Sequence, residues 1–191
     1  MIGLWALAFV TLLAVIFTVS TLWTQSRGAP WAPTSFGEVH DMLTMAEAGP
    51  DDLVYDLGCG DGRVLVAAAK SFGSQAVGIE IDPLRYLWCR ALITALGLRG
   101  RVKIVYGDFF TQDLSAADVV TCYLLQSTNE KLQEKLTQEL QPTARVVSNE
   151  FTFPGLRPLR QDDEAKIYLY HPVPMKESRS TSTRLTEQGS D

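Results

Sequence analysis

The sequence predicts an α/β fold, a doubly wound and mostly parallel sheet, and three observations predict it. β-prone runs alternate with helical segments through the middle of the chain. The first run, Leu53 to Leu57, ends in a glycine-rich turn, Gly58-Cys59-Gly60-Asp61-Gly62, and the following Val64-Leu65-Val66-Ala67-Ala68-Ala69-Lys70 reads as a helix. Acidic residues stand in order at the ends of the first three strands: Asp56, Glu80 and Asp108. Strands alternating with helices argue parallel pairing with helices on both faces.

Each element has its own signal. Ser35-Phe36-Gly37-Glu38 has the spacing of a capping box, so a helix begins there. Val39, Met42, Leu43 and Ala46 give it an apolar stripe, and Gly49-Pro50 ends it. Gln75 to Ile81 is the second strand, followed by Asp82-Pro83 and a helix from about Leu84 to Leu96. The third strand is Val102 to Tyr106 and the fourth Asp118 to Leu125. A polar amphipathic helix spans about Asn129 to Leu140, and the fifth strand runs from Ala144 to Phe151. The turn-rich Pro154-Gly155-Leu156-Arg157-Pro158 leads to a last strand, Ala165 to Tyr170. Only about 13 residues separate these last two strands, short for a helical crossover, so the last should pair antiparallel at an edge. The C-terminal edge of the sheet would then be shortened. The domain covers residues 35–173, and the Ser/Thr-rich residues 174–191 read as a disordered tail.

The N-terminus is of another kind. No charged side chain occurs from Ile2 to Gln25, a length that suits a membrane-spanning helix of ~20 residues. Trp5 and Trp23 lie near its ends, where interfacial aromatic residues are expected. A cleaved signal peptide would carry a basic start and a shorter apolar core. Residues 1–26 therefore read as a transmembrane anchor, and residues 27–34, with Pro30 and Pro33, as a short linker. Arg27 is the only nearby positive charge. It places the domain on the cytosolic side of the membrane, a bacterial inner membrane or, alternatively, a mitochondrial one.

The chain has 191 residues and a net charge of −5 with no basic run, so nucleic acid is not the expected partner. Cys59, Cys89 and Cys122 show no metal spacing and read as buried free thiols; His40 and His171 are too few for a His-rich metal site. No metal is expected.

The glycine turn narrows the chemistry. Its G-x-G-x-G spacing is neither the dinucleotide fingerprint nor a P-loop. A carboxylate at the tip of the second strand, Glu80, can accept both hydroxyls of a ribose. The turn, with Asp56 before it, resembles the first motif of class I S-adenosylmethionine-dependent methyltransferases, whose fold is Rossmann-like. The flanking patterns resemble a narrower group. These are Ala32-Pro33-Thr34-x-x-x-Glu38-Val39-x-x-Met42-Leu43, then Asp118 to Leu125, Asn129-Glu130-Lys131-Leu132, Glu139-Leu140-x-Pro142 and Arg145-Val146-Val147-Ser148. They are similar to the small protein-lysine methyltransferases, which include archaeal enzymes and the mitochondrial enzymes acting on adenine nucleotide translocase and on the c-type subunit of ATP synthase.

That resemblance implies S-adenosyl-L-methionine as cofactor, held by Thr34, Asp56, Gly58, Cys59, Gly60, Glu80, Ile81, Asp108 and Phe109. Asp108 would meet the adenine amino group, Phe109 would cover the ring and Thr34 would close over the methionine part. Tyr123, at the end of the fourth strand, is the catalytic candidate, as wall of a lysine channel with Phe110, Glu150 and Phe151 around it. The chain departs from the group's pattern at Gln126, where a Pro often follows Tyr-Leu-Leu, at Thr143, where a Gly often follows the Pro, and at Asn149, where a His often follows the Ser. The expected function is membrane-anchored protein-lysine N-methylation of a membrane or membrane-proximal protein. A small-molecule or lipid methyltransferase and a non-catalytic cofactor-binding scaffold are the alternatives.

Overall fold

The computed structural model describes residues 34–173 continuously and residues 3, 5, 7, 8, 10, 11, 15 and 18 near the N-terminus, all eight of them helical and exposed. The expected anchor lies largely outside the described residues, and the linker up to residue 33 and the tail from 174 lie wholly outside them. Among the described residues no helix is long and apolar enough to cross a membrane.

Helix α1 (Phe36–Met45) begins as its sequence dictates. The Ser35 hydroxyl accepts from the Glu38 amide, and the Glu38 carboxylate accepts from the Ser35 amide at 2.7 Å. There follow β1 (Leu53–Leu57), α2 (Arg63–Ser71), β2 (Gln75–Glu80), α3 (Pro83–Ala95) and β3 (Val102–Tyr106). Then come β4 (Val119–Cys122), α4 (Gln126–Glu139), β5 (Arg145–Asn149), β6 (Arg160–Asp162) and β7 (Ile167–Tyr170). The strands form one sheet in the order β3-β2-β1-β4-β5-β7-β6. The first five are parallel; β7 runs antiparallel to both β5 and β6.

Three expectations need correction. The last strand pairs antiparallel as expected but is not the edge. A three-residue strand, β6, lies outside it, so the sheet has seven strands and only its outermost one is short. Helix α4 starts at Gln126, three residues earlier than expected. Strand β5 ends at Asn149, and Glu150 turns out of the sheet with φ 66°.

Helices α1, α2 and α3 cover one face of the sheet, where Val39, Leu43, Leu65, Ala68, Cys89 and Ile93 join one apolar cluster. Helix α4 covers the other with Leu132 and Leu136, beside Leu114, Phe153 and Tyr170. Gly78 is where α2 approaches β2 most closely. A Cβ there would lie 2.5 Å from Leu65 Cδ1 and 2.7 Å from Cys59 Sγ, so no side chain fits. That approach seats the glycine turn on the end of the sheet.

Candidate cofactor and acceptor site

The site is built where β1, β2 and β3 end side by side. The turn after β1 takes its shape from glycine: Gly58, Gly60 and Gly62 have φ of 79°, 53° and 83°, a region other residues rarely enter. Two amides of the turn, Gly58 and Cys59, donate to Ile79 O of β2 at 2.9 and 3.1 Å. The third contact is a side chain. Glu80, only 4% exposed, accepts from the Gly60 amide at 2.8 Å through one oxygen and from the Asp82 amide at 2.8 Å through the other. Each oxygen of a carboxylate can accept a second bond, so Glu80 keeps acceptor capacity for a pair of hydroxyls. Ile81 joins Glu80 to Asp82, whose carboxylate caps α3 by accepting from the Leu84 and Arg85 amides.

Asp108 stands one strand further along. Its carboxylate accepts from the Phe110 amide at 2.9 Å and starts a 3₁₀ turn, Phe109–Thr111. The Phe109 and Phe110 rings pack 4.8 Å apart, both half-buried. Phe110, expected in the acceptor channel, is thus paired with Phe109 at the end of β3. In the sheet order β2 and β1 lie between β3 and β4, the strand that precedes Tyr123, and Phe110 packs on the same apolar cluster as Leu124.

Thr34 is brought to the turn from a distant part of the chain. Its carbonyl accepts from Arg63 Nη1, and Arg63 is itself held by Asp61 of the turn through a bidentate ion pair. The guanidinium also lies 5.3 Å from the centre of the Phe36 ring. Arg63 therefore latches the entry to α1 onto the glycine turn. Sequence reasoning does not single this residue out, although Gly-Asp-Gly-Arg at a helix start is a visible signal.

The electrostatics suit a cation. Asp56 is buried, and burial pushes its pKa up to about 7; the Thr121 hydroxyl, donating at 2.9 Å, lowers it, and the Glu80 charge raises it again. Burial also raises the Glu80 pKa, against the two amides that favour its charged form. The desolvated Asp56 carboxylate fits a ligand that carries positive charge, Glu80 keeps acceptor capacity for its hydroxyls, and the glycine turn leaves room for its backbone-close approach. The residues present thus fit S-adenosyl-L-methionine. The Cys59 thiol, beside Cys89 and buried, is held well above its usual pKa, so it lines the turn as a neutral group; all three cysteines are free and buried. Among the described residues no group of three or more His, Cys, Asp or Glu could hold a metal ion.

A stability test follows from Asp56. A carboxylate whose folded pKa is raised binds its proton more tightly folded than unfolded. Its contribution is fully present below its ordinary value of 3.8 and is lost as pH rises to about 7. Thermal unfolding without cofactor should therefore show stability falling over that range. Asp56→Asn, uncharged throughout, should be more stable than wild type above pH 7, on the order of 2 kcal/mol or about 4–8 °C, while binding the cofactor more weakly. A variant of unchanged melting temperature would refute the burial of charge.

The residues expected to line the acceptor channel, Phe110 apart, stand at the ends of β4 and β5. Tyr123 follows β4 directly, and its hydroxyl donates to Glu150 Oε2. Burial, this hydrogen bond and the charges of Glu150 and Glu38 push the Tyr123 pKa up to about 12, so it remains a donor. Glu150 is held in its left-handed conformation by its own amide, which donates to Lys166 O at 2.8 Å, with Lys166 Nζ 3.9 Å from its other oxygen. Phe151 comes next, its carbonyl accepting from Asn129 Nδ2 at 3.1 Å and Ser148 Oγ at 2.5 Å. Gln126, where a Pro is often found in the resembling group, has a structural role. Its amide exchanges two hydrogen bonds with the Thr152 backbone, at 3.2 and 3.3 Å. Asn149 is buried in the strand end. Gln126, Asn129 and Ser148 thus fix the Glu150-Phe151 turn, a role that no local signal in the sequence reveals.

The chain is similar to known methyltransferases. The ANTKMT methyltransferase domain matches residues 56–160. A protein-lysine N-methyltransferase of Saccharolobus islandicus is 48% identical over 148 residues, 74% of this chain and 92% of that protein. A lysine N-methyltransferase of Xenopus laevis, named for the c-type subunit of ATP synthase, is 32% identical over 129 residues, 68% of this chain, which spans only 56% of that protein. Among solved structures, an RNA methyltransferase from Salinibacter ruber in complex with S-adenosyl-L-homocysteine superposes with a TM-score of 0.70 at 38% identity, over 76% of this chain and 95% of that one. With its seven-stranded sheet, glycine turn and three ordered carboxylates, the chain belongs to the ANTKMT methyltransferase domain family and is a methyltransferase that uses S-adenosyl-L-methionine.

Proposed function

We propose that the chain is a membrane-anchored protein-lysine N-methyltransferase whose catalytic domain faces the cytosol. The observation that carries the acceptor assignment is the pair Tyr123–Glu150, a hydroxyl and a backbone-strained carboxylate at the ends of adjacent strands. Non-glycine residues held at positive φ cost on the order of 1 kcal/mol or more and collect at functional sites. The same arrangement disfavours a polyanionic acceptor, since Glu38 and Glu150 both act on the Tyr123 hydroxyl. The names of the archaeal and vertebrate relatives support lysine, whereas the Salinibacter ruber neighbour bears an RNA name.

In this reading Glu80 holds the ribose, Asp108 and Phe109 hold the adenine, and Thr34, Asp56 and the turn at Gly58, Cys59 and Gly60 hold the methionine part. The bound cofactor supplies an electrophilic methyl on a sulfonium, open to in-line attack. Glu150 receives the incoming ammonium. Its proton leaves to solvent at the entrance, and the Tyr123 and Phe151 rings then favour the neutral amine by desolvation. Tyr123 fixes the Glu150 carboxylate, so the amine approaches along one line. The uncharged stretch from Ile2 to Gln25 supports the anchor, as do the exposed Trp5, Leu7, Val10 and Val15 of its described positions. Arg27 beyond it supports the orientation.

The test is to incubate the full-length protein with methyl-labelled cofactor and cell membranes, then separate protein, lipid and RNA. Label should enter protein and appear as methyl-lysine after hydrolysis, at a rate that rises with pH as the bound lysine loses its proton. Label confined to lipid or small molecules, or to RNA, would reject the lysine acceptor and leave the methyltransferase intact.

A further inference from the structure

Helix α3 is apolar on two faces. Cys89 and Ile93 are buried against the sheet. On the opposite side Leu84, Leu87, Trp88, Ala91 and Ala95 form a continuous outer stripe at helical spacing, all of them exposed. Leu87 is 57% and Trp88 64% exposed, and Tyr106 of the edge strand β3 is 54% exposed. Large apolar side chains gathered in this way mark a binding surface rather than ordinary surface scatter.

Charge identifies what the surface meets. From Pro83 to Gly107 the sequence contains no Asp or Glu but carries Arg85, Arg90, Arg99, Arg101 and Lys103, in a chain of net charge −5. Arg85 is paired with Asp82. Among the described residues no carboxylate lies within ion-pair distance of Arg90, Arg99, Arg101 or Lys103, and all four are exposed. Arg90 and Arg99 border a shallow depression whose floor includes Leu87, Ala91 and Ala95. Leucine and tryptophan flanked by arginine and lysine is the make-up of a helix that lies in the interface of an anionic bilayer. A nucleic-acid surface would instead be polar, without a leucine-rich stripe.

We infer that the outer face of α3, with the adjoining edge of β3, docks on an anionic lipid surface. This deepens the anchored reading above and rests on it. The stripe begins directly after Glu80 and Asp82, at the end of the sheet that holds the cofactor turn, and Arg63 ties the chain arriving from the anchor to that same end. Docking would therefore fix the orientation of the domain on the bilayer instead of leaving it to swing on its linker.

The experiment uses the full chain carrying a nitroxide at Leu87→Cys, with a control label at Lys131→Cys on the exposed side of α4; the native thiols are buried. The protein is placed in phosphatidylcholine vesicles with and without phosphatidylglycerol. In anionic vesicles the label at position 87 should gain oxygen contact and lose contact with a water-soluble nickel chelate several-fold, while that at 131 stays in water. Arg90→Glu with Arg99→Glu should remove the dependence on phosphatidylglycerol, each cation being worth several-fold. A position-87 label as wet as the control, on protein that still floats with the vesicles, overturns the docking and spares the anchor. So does a label protected by added RNA or by self-association without vesicles. Protein that fails to float at all overturns the anchor reading itself.

Discussion

Glu80→Ala should lower the affinity for S-adenosyl-L-methionine and for S-adenosyl-L-homocysteine by roughly 10- to 100-fold, the loss expected when one charged hydrogen-bonding group is removed. The change acts twice. It deletes the acceptor for the ribose hydroxyls, and it frees the amides of Gly60 and Asp82, which Glu80 holds at 2.8 Å each. Without that brace the turn loses the side-chain tie between β1 and α3. Glu80→Gln separates the two effects. One amide oxygen can still accept from the turn, but the paired acceptor is gone, so folding should be retained while affinity falls. Calorimetry with both ligands reads the outcome. Because neither effect involves the transferred methyl, both ligands should lose affinity alike. Unchanged affinity in Glu80→Ala would remove the ribose assignment.

Asp56 behaves differently, and the contrast tests the electrostatic reading. Its carboxylate gains from positive charge on the ligand, so the preference for S-adenosyl-L-methionine over its neutral-sulfur product should grow as pH rises through about 7.

The parts of this fold that show in the sequence are those whose signals are local. The capping box at Ser35 and Glu38 lies within one turn of chain, and so does the Asp82-Pro83 start of α3. The carboxylates at 56, 80 and 108 are legible because a strand period places each at a known end. What stays hidden is non-local or lacks a side-chain signal. Helix α4 is preceded by Leu125, an N-cap without a side-chain hydrogen bond, and its first residues, Gln-Ser-Thr-Asn, have the composition of a turn. Strand β6 is Arg-Gln-Asp, exposed at every position, and exists only because β7 offers it a partner. The positive φ of Glu150 falls on a residue type with no preference for it and follows from contacts with Tyr123 and Lys166 far away in sequence. The Arg63–Thr34 latch spans 29 residues.

Tyr123→Ala should lower the turnover number about 100-fold or more while cofactor affinity stays within about twofold of wild type, because small misplacements of reacting groups are costly and ground-state binding is made elsewhere. The separation is topological. The proposed ribose and adenine contacts, Glu80 and Asp108, stand at the ends of β2 and β3, whereas Tyr123 follows β4 on the far side of β1. Tyr123→Phe isolates the hydroxyl. It keeps the ring but leaves Glu150 without the donor that fixes its Oε2, so turnover should fall by about tenfold, the value of a hydrogen bond to a charged group. With a pKa of about 12 the hydroxyl stays protonated through neutral and moderately alkaline pH. The pH profile of turnover should therefore keep its shape in Tyr123→Phe and simply drop, since its rise belongs to the lysine and not to the tyrosine. Glu150→Gln should differ in kind. It keeps an oxygen for the Tyr123 hydroxyl but loses the charge that draws the ammonium, so KM for the protein substrate should rise more than turnover falls. If Tyr123→Ala weakens the cofactor as much as it slows the reaction, or if Tyr123→Phe is fully active, the pair is packing and the acceptor must enter elsewhere.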